Sequence, residues 1–525
     1  MNRETLDRSL VHGLAWTGAT KWASQLLTWI STILVMRFLA PQAYGLVGMA
    51  LVFVGLMQLV NEFGLGAAVV QRRDLTESQT ARLGGVALLI GFGLCALASL
   101  TSGLIATFFH EPAVRPVVFA LSMLFPVSAL QVLPRALLQR ELQFRRLATA
   151  DGLEPIVTAT VTLTVAAVTQ SYWALVAGPI VGKTTTTLLL LLWRPHRLAW
   201  PRRGSGADRI GAAVTFGWQV VVARISWYAY SNADFTIVGR VLGPAALGVY
   251  TLGWTIGSIP VDRVSALLAG VTPGILSAVQ HDEAALRRYL AKITEGLALV
   301  TFPASVGIAL IADLFVAGML GPAWQPAIWP LRFLALSAAL RSLSTLPPQL
   351  IVATGHAKAN MWLTLGASIV MPVLFYLATP WGPSGVAFVW LAAHPIVVLP
   401  WFVGYALYLT RMRLSDYVRA LGPATLGTAI MTLAVLGVRA LLPAGIGPMV
   451  RLGLVIASGV ASYGAVVQVC FRDRVDALLA TMRGGETGAS AQEMKPGERL
   501  DQERSRVAPA PDLFPLLRGM PEEAP

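Results

Sequence analysis

Two basic residues inside apolar stretches are the side chains best suited to chemistry in this sequence. Lys21 and Arg224 each interrupt a run of hydrophobic residues. A charge at the middle of a bilayer costs about 2.5 to 3.5 kcal/mol on insertion scales, so an ionisable residue there is expected to face a cavity or a partner. Two such cations could hold a diphosphate electrostatically, and the guanidinium of Arg224 adds bidentate recognition of phosphate oxygens.

The two cations occupy equivalent positions in an internal repeat. The stretch "RFLAPQAYGLVGMA", which starts at Arg37, aligns with "GRVLGPAALGVYTLG", which starts at Gly239, at an offset of 203 residues that also brings Lys21 onto Arg224. The repeat predicts two halves of six helices each with parallel topology, an arrangement found in transporters that rock one half against the other. The alternative to a repeat is a common helix-hairpin motif that occurs twice, in which Pro and Gly mark a tight turn.

Polar residues at helical spacing accompany both cations. One face of the first predicted span carries Thr17, Lys21, Gln25 and Thr28. One face of the seventh span carries Arg224, Trp227, Ser231 and Asp234. If both faces line the lumen of a bundle, Lys21, Gln25 and Arg224 bind a substrate there. The alternative is that each cation pairs with a carboxylate or extends to the membrane interface.

Two carboxylates are further candidates. Asp234 lies about 15 Å of helix rise beyond Arg224, too far for a direct pair. Asp234 therefore either neutralises a neighbour such as Arg240 or acts as a protonatable coupling group in the cavity. Glu62, at the end of the second predicted span, is a candidate gating residue that would pair with the arginines at 72–73, and a plain helix end is its alternative.

Other basic residues also lie in apolar surroundings. Arg135 and Arg263 lie toward the predicted cytoplasmic ends of spans, where a long side chain reaches water easily. Lys183 is a weaker cavity candidate. Arg332 and Arg341 are nine residues apart on the predicted tenth span and point to opposite helix faces, so at most one of them faces a shared cavity directly. We favour Arg341 as the cavity residue.

Composition establishes the class of protein that must position these residues. Of 525 residues, 55% are hydrophobic and 13% are charged, and the mean hydropathy is +0.65. A soluble domain of this size is excluded, and continuous apolar runs of roughly 20 residues predict an all-α, polytopic membrane bundle rather than a barrel. The predicted spans are 14–39, 43–66, 83–109, 117–138, 147–168, 174–193, 215–239, 246–270, 293–312, 328–351, 361–379, 384–409, 421–442 and 450–471.

These fourteen spans divide into four predicted segments. Residues 1–209 form an N-terminal six-helix lobe and residues 210–409 a pseudo-symmetric second lobe. Residues 410–471 form an additional helix pair. Residues 472–525 are rich in Gly, Pro and charge, which predicts a disordered cytoplasmic tail.

The net charge of +13 reflects topology rather than nucleic-acid binding. Lys and Arg are concentrated in alternate short loops, whereas the opposite loops at 169–173, 312–327 and 379–385 contain none. The positive-inside rule then places both termini in the cytoplasm. Cys95 and Cys470 lie within apolar spans, so we expect buried thiols and no disulfide framework.

No feature of the sequence predicts catalysis, a metal or a cofactor. The stretch "GPIVGKTTTT" from Gly178 resembles a phosphate-binding loop, but three residues separate its glycines where the motif requires four. It also lies inside an apolar span. The six His residues are scattered without metal-ligand spacing.

Several phrases together carry a family resemblance. In chain order they are "RFLAPQAYGLVGMA…NEFGLGAAVVQRRDLTESQ", "ALLQRELQFRRLA", "NADFTIVGRVLGPAALGVYTLG" and "LGPAWQPAI". From about residue 5 to residue 420 the sequence resembles Wzx-type lipid-linked oligosaccharide flippases. The similarity is to the branch of colanic acid and exopolysaccharide exporters, within the multidrug/oligosaccharidyl-lipid/polysaccharide exporter superfamily.

The resemblance implies a fold and a task. The fold is a V-shaped pair of six-helix lobes around a cationic cavity, with a last helix pair that forms a groove for a polyprenyl tail. The task is to turn polyprenyl-diphosphate-linked oligosaccharides from the cytoplasmic to the periplasmic leaflet of the bacterial inner membrane. The implied partners are that lipid-linked substrate, the bilayer, and a polysaccharide polymerase with its chain-length machinery.

Two rival functions remain open at the level of sequence. A membrane polysaccharide polymerase would need a sizeable periplasmic loop with reactive groups, and the longest such predicted loop, 312–327, contains the lone Asp313. A multidrug or cation exporter of the same superfamily would need an acidic cavity, whereas most charges predicted inside the membrane here are basic.

Overall fold

The computed structural model describes residues 25, 27–61, 66, 69–70, 75–196, 227–443 and 445–470. Within these ranges the chain is helical and forms no β-strand. In the first half the helices are α1 (Leu27–Phe38), α2 (Pro41–Asn61), α3 (Glu77–Phe109), α4 (Val114–Ser122), α5 (Leu124–Arg140), α6 (Phe144–Thr169) and α7 (Trp173–Trp193). The later helices are α8 (Ala233–Ile237), α9 (Gly243–Gly257), α10 (Ile259–Ala278), α11 (Glu283–Phe315), α12 (Ile328–Ser342), α13 (Leu346–Ala353), α14 (Ala357–Leu377), α15 (Gly382–Ala393), α16 (Leu399–Thr410), α17 (Leu414–Leu441) and α18 (Pro448–Cys470).

The helices confirm the predicted all-α membrane bundle. In the part of the chain that the structure describes, 12 helical segments are long and apolar enough to cross a membrane. The shorter α1 lies in the predicted first span. The predicted total of fourteen is not confirmed as a count, in part because the tenth span, 328–351, consists of α12 and α13 with a break between them.

One apparent span is a hairpin. Residues Ala233–Gly257 satisfy the length and hydropathy of a single span. However, the Tyr250 hydroxyl donates a 2.6 Å hydrogen bond to Asp234, 16 residues away, and sixteen residues of straight helix would extend about 24 Å. The chain therefore reverses, and the turn falls at Gly243, whose φ of 83° favours glycine. A π-helical turn, Val238–Leu242, precedes it.

The prediction of a loop at 312–327 is wrong for its first half, which is helical. Helix α11 runs to Phe315 and continues as a π-helical turn, Val316–Leu320. Val316 and Leu320 are buried in one cluster with Met36 and Trp324. Because burial of these apolar side chains favours regular backbone pairing, the segment stays helical where the sequence suggested a loop.

The two copies of the repeat pack against each other at equivalent positions. A Cβ built on Gly45 of α2 would lie 1.7 Å from the carbonyl oxygen of Pro244, and one built on Gly248 of α9 would lie 1.8 Å from that of Pro41. Only glycine allows backbones to approach this closely. Helices α2 and α9 thus cross reciprocally, near the ends that the positive-inside rule assigns to the outer side.

The phosphate-loop lookalike is a helix-packing motif. Gly178 and Gly182 of α7 are spaced as in a small-xxx-small pair. A Cβ on Gly178 would lie 1.8 Å from the hydroxyl of Thr162, and one on Gly182 would lie 2.1 Å from the hydroxyl of Thr158. The two glycines let α6 and α7 pack in close contact along one wall of the cavity described below.

The additional helix pair contacts α11. Arg439 of α17 forms a 2.6 Å ion pair with Asp313, and the Tyr463 hydroxyl of α18 donates a 2.6 Å hydrogen bond to the carbonyl of Leu299. The predicted boundary between residues 409 and 410 falls at the end of α16. The boundaries at 209–210 and 471–472 lie outside the described residues.

Candidate functional site

A cavity of about 1480 Å³ lies within the first half of the chain. Among the described residues, its lining comes from five helices, α1, α2, α5, α6 and α7, and from Gly66 and Val70. Each helix lines the cavity with residues of one face, and these faces combine apolar side chains with polar ones. Hydroxyl and amide side chains on this wall include Ser31, Thr32, Gln58, Ser128, Thr158 and Thr162.

The charged residues of this wall are paired across helices. Arg135 of α5 contacts Asp151 of α6 at 2.7 Å, and Lys183 of α7 contacts Glu154 of α6 at 3.5 Å. Two cations and two carboxylates thus face the cavity among the described lining residues. The described part of the wall combines polar and apolar side chains and carries no net charge.

Sequence reasoning missed both of these carboxylates. Asp151 and Glu154 are three residues apart at the start of α6, and Thr158 and Thr162 follow on the same face. This polar stripe within an apolar span is the sequence signal that could have identified the two carboxylates as cavity residues. It predicts a cavity-facing helix in the same way as the stripe around Lys21.

Two amide side chains of the cavity have unpaired oxygens. Asn61 at the end of α2 and Gln131 on α5 are each 8% exposed. The Nδ2 of Asn61 donates a 3.3 Å hydrogen bond to the carbonyl of Phe125. The Oδ1 of Asn61 and the Oε1 of Gln131 are buried without a hydrogen-bond donor.

A second polar cluster, in the second half of the chain, surrounds Arg341. Its guanidinium donates a 2.8 Å hydrogen bond to the Ser258 hydroxyl. The guanidinium carbon lies 4.1 Å from the ring centroid of Trp254 and 5.3 Å from that of Trp390. Cation–π contact with two indoles stabilises the charge where water is scarce.

Asp234 belongs to the same cluster and is fully buried. Its Oδ2 accepts hydrogen bonds from the Tyr250 hydroxyl at 2.6 Å and the Trp390 indole at 2.8 Å. Its Oδ1 accepts a 2.9 Å bond from the backbone N–H of Phe235. The carboxylate therefore ties α8 to α9 and α15.

Arg240, the partner suggested for Asp234 by the sequence, is located elsewhere. Its guanidinium hydrogen-bonds the His110 ring at 2.8 Å and lies over the Phe108 ring at 5.5 Å. Arg332 pairs with Asp313 at 3.0 Å, whereas Arg341 contacts Ser258. The two arginines therefore have different partners, as expected for residues nine positions apart on opposite faces of one helix.

The remaining predicted site residues are distributed as follows. Lys21, Arg224 and Glu62 lie outside the described residues. Gln25 is described but does not belong to the lining of the first-half cavity. The structure brings Asp234 and Arg341 together through their shared contacts with Trp390. Asn61, Gln131, Trp254 and Trp390 were not singled out by the sequence.

A membrane-spanning helical bundle with an internal repeat and a polar cavity defines a carrier-like membrane protein. Residues 34–329 match the family described as polysaccharide biosynthesis protein, which is more than half of the chain. The protein therefore belongs to the polysaccharide biosynthesis protein family.

Individual relatives agree with this assignment. The chain is 25% identical over 384 residues to the teichuronic acid biosynthesis protein TuaB of Bacillus subtilis, covering 73% of this chain and 79% of that protein. It is 22% identical over 374 residues to the lipopolysaccharide biosynthesis protein WzxC of Escherichia coli, covering 71% and 74%. The predicted resemblance to Wzx-type flippases is confirmed.

A solved structure shares the fold. The lipid II flippase MurJ, in an inward closed conformation, superimposes with a TM-score of 0.67, covering 87% of this chain and 99% of that one at 13% identity. At this identity the likeness establishes the multi-pass helical architecture alone.

Proposed function

We propose that this protein flips polyprenyl-diphosphate-linked oligosaccharide repeat units across the bacterial inner membrane for exopolysaccharide, lipopolysaccharide or capsule synthesis. The observation that carries the proposal is the large cavity, in whose described wall hydroxyl and amide groups and compensated charges lie among apolar side chains. Its volume of about 1480 Å³ exceeds the roughly 300 to 1,000 Å³ of small-molecule sites. Relatives named for teichuronic acid and lipopolysaccharide biosynthesis support the same class of cargo.

Transport follows from alternating access around this cavity. The reciprocal crossing of α2 and α9 at Gly45 and Gly248 closes one end of the contact between the halves. With both termini in the cytoplasm, that end faces the periplasm. The polar head enters from the opposite end, the crossing separates, and the head leaves on the other side while the polyprenyl chain remains in lipid. No covalent chemistry is required, so the protein acts as a transporter and not as an enzyme.

The diphosphate needs positive charge that the described wall of the cavity lacks. Lys21 and Arg224 are the proposed source, because a wall whose charges cancel cannot neutralise an anion. Arg341 and Asp234 form a second polar centre of the transport path, and Glu62 gates the cytoplasmic end. An ion gradient or the membrane potential supplies energy, and each charge moved across 100 mV is worth about 2.3 kcal/mol.

The structure does not favour the two rival functions. Asp313, the lone acidic residue of the predicted loop that a polymerase would use, forms ion pairs with Arg332 and Arg439. A cation exporter would need uncompensated carboxylates, whereas Asp151 and Glu154 each pair with a cation. A polymerase and its chain-length machinery enter the proposal as partners that consume the flipped product.

Replacement of Arg224 by Ala tests the proposal. In a strain that depends on this protein for polysaccharide export, we expect Arg224→Ala to stop export and to accumulate lipid-linked glycan on the cytoplasmic leaflet, detected by mass spectrometry, at unchanged protein levels. Arg115→Ala, at an exposed position on α4, is the matched control and should export normally. Undiminished export by Arg224→Ala would refute the proposal.

A further inference from the structure

We infer that Asn61 and Gln131 form a sugar-recognition pair within the first-half cavity. The inference rests on the proposed function and names the part of the substrate that this cavity holds. The ligand groups are hydroxyls, or the N–H of an acetamido substituent, of the glycan.

The pair consists of acceptors that lack donors. The Oδ1 of Asn61 and the Oε1 of Gln131 are buried and unpaired, although both side chains line the cavity. A buried polar atom without a hydrogen-bond partner destabilises the protein. A ligand that supplies O–H or N–H donors recovers this cost, so the site discriminates strongly against a ligand that lacks them.

The orientation of Asn61 is fixed by its other amide atom. Its Nδ2 donates a hydrogen bond to the carbonyl of Phe125 at 3.3 Å. The flipped amide is excluded because it would place the Oδ1 of Asn61 against the Phe125 carbonyl oxygen. The Oδ1 is therefore the amide atom of Asn61 that lacks a partner. Because Phe125 lies on α5, the helix that also carries Gln131, the two free acceptors lie on adjoining helices of one cavity wall.

The surroundings select a sugar rather than a phosphate. An amide oxygen repels an anionic oxygen, and the nearby cation Arg135 is occupied by Asp151 at 2.7 Å. Gln131 lies between Ser128 and Arg135 on the cavity face of α5. A neutral wall with paired charges, hydroxyls and free amide acceptors is complementary to a carbohydrate, which presents many donors and no net charge.

The experiment compares two probes on the full chain in lipid nanodiscs. One probe is a bare polyprenyl diphosphate, and the other is the same lipid carrying an N-acetylated disaccharide. The variants are Gln131→Met and Asn61→Leu, which remove the acceptors while keeping similar volume. Gln139→Met is the matched control, because Gln139 lines the same face of α5 but is exposed.

We expect the wild-type protein to bind the glycosylated lipid more tightly than the bare lipid. Gln131→Met and Asn61→Leu should each weaken binding of the glycosylated lipid by about 3- to 10-fold, the equivalent of one hydrogen bond, and leave bare-lipid binding unchanged. Gln131→Glu, which retains an acceptor oxygen, should restore part of the difference. A thermal unfolding scan of each variant separates loss of recognition from loss of fold.

Three outcomes would overturn the inference. If the acceptor variants bind the two probes as the wild type does, the amide oxygens are satisfied by water and recognise no sugar. If they weaken both probes equally, the pair contributes to general binding and not to glycan recognition. If the wild type binds neither probe, the proposed function itself fails, and the inference fails with it.

Discussion

Gly45 lies directly against the backbone carbonyl of Pro244, and its repeat equivalent, Gly248, lies in the same way against Pro41. The contact is therefore reciprocal, as a pseudo-two-fold axis between α2 and α9 requires. Buried apolar residues extend it along both helices, including Met49 and Leu247. The repeat is thus visible both in sequence and as a physical contact between the two halves.

The first prediction concerns this contact. Gly45→Ala places a methyl group 1.7 Å from a backbone oxygen, so α2 and α9 must separate, at a cost of about 1 to 3 kcal/mol. We expect lower thermal stability in detergent and faster labelling of a Met49→Cys probe by a membrane-impermeant maleimide.

Gly48→Ala provides the control for this prediction, one turn further along α2. A Cβ there would lie 3.4 Å from the nearest atom of Leu247, an ordinary contact. Equal stability and equal labelling in the two alanine variants would show that the close approach at Gly45 does not hold the halves together.

The second prediction concerns Asp234. All three of its hydrogen bonds are accepted from donors: Tyr250, Trp390 and the N–H of Phe235. In Asp234→Asn the amide N–H₂ faces at least one of these donors in either orientation, which costs about 1 to 3 kcal/mol. Thermal unfolding should show this loss, and Tyr250→Phe, which removes a single donor, should cost less. An Asn variant as stable as the wild type would contradict the assigned network.

Much of the architecture could be predicted from the sequence because the membrane imposes strict length and polarity requirements on a helix. The offset between Arg37 and Arg240 predicted that the helices following them are equivalent. It could not predict that Gly45 and Pro244 touch, because equivalence in a repeat specifies symmetry and leaves the separation of the halves undetermined.

The site is less predictable because its charges pair between helices. The sequence marks Arg135 as a snorkelling residue and Lys183 as a weaker cavity candidate, whereas their partners Asp151 and Glu154 come from a different helix. Pairing across helices depends on the rotation of each helix, which α6 and α7 set through close packing at Gly178. Such a rotation is a tertiary property, and a single hydropathy profile does not contain it.

The third prediction compares two arginines on α12. Arg341 lies 4.1 Å from the Trp254 ring centroid and hydrogen-bonds Ser258. Lysine cannot reproduce the planar stacking and the fork of donors, so Arg341→Lys should lose about 0.5 to 2 kcal/mol of cation–π interaction and reduce polysaccharide export at unchanged protein level.

Arg332→Lys is the matched control on the same helix. Its charge faces Asp313 at 3.0 Å, and Arg439 still neutralises that carboxylate when Arg332 is replaced. Export should stay near the wild-type level. If both lysine variants export equally well, the guanidinium of Arg341 has no specific role in transport.

The fourth prediction concerns the attachment of the additional helix pair. Arg439 of α17 bonds both oxygens of Asp313, at 2.6 and 3.2 Å, and the two side chains are 21% and 32% exposed. A bidentate pair at this depth is stronger than a surface pair but is partly screened by its exposure. We expect a double-mutant cycle of Asp313→Asn and Arg439→Gln to give a coupling energy of about 1 to 2 kcal/mol in thermal unfolding.

The same helix contains an exposed pair that serves as the control. Arg419 and Asp416 are 3.6 Å apart, with side chains 81% and 44% exposed, so a cycle on this pair should give a coupling near zero. The Asp313 cycle reports on the link between α17 and α11, because each partner belongs to one of these helices, whereas both members of the control pair belong to α17. Equal coupling in the two cycles would mean that the ion pair does not anchor the helix pair. The polar links to α11 would then be the hydrogen bonds of Arg439 to the Leu310 carbonyl and of Tyr463 to the Leu299 carbonyl, among the described contacts.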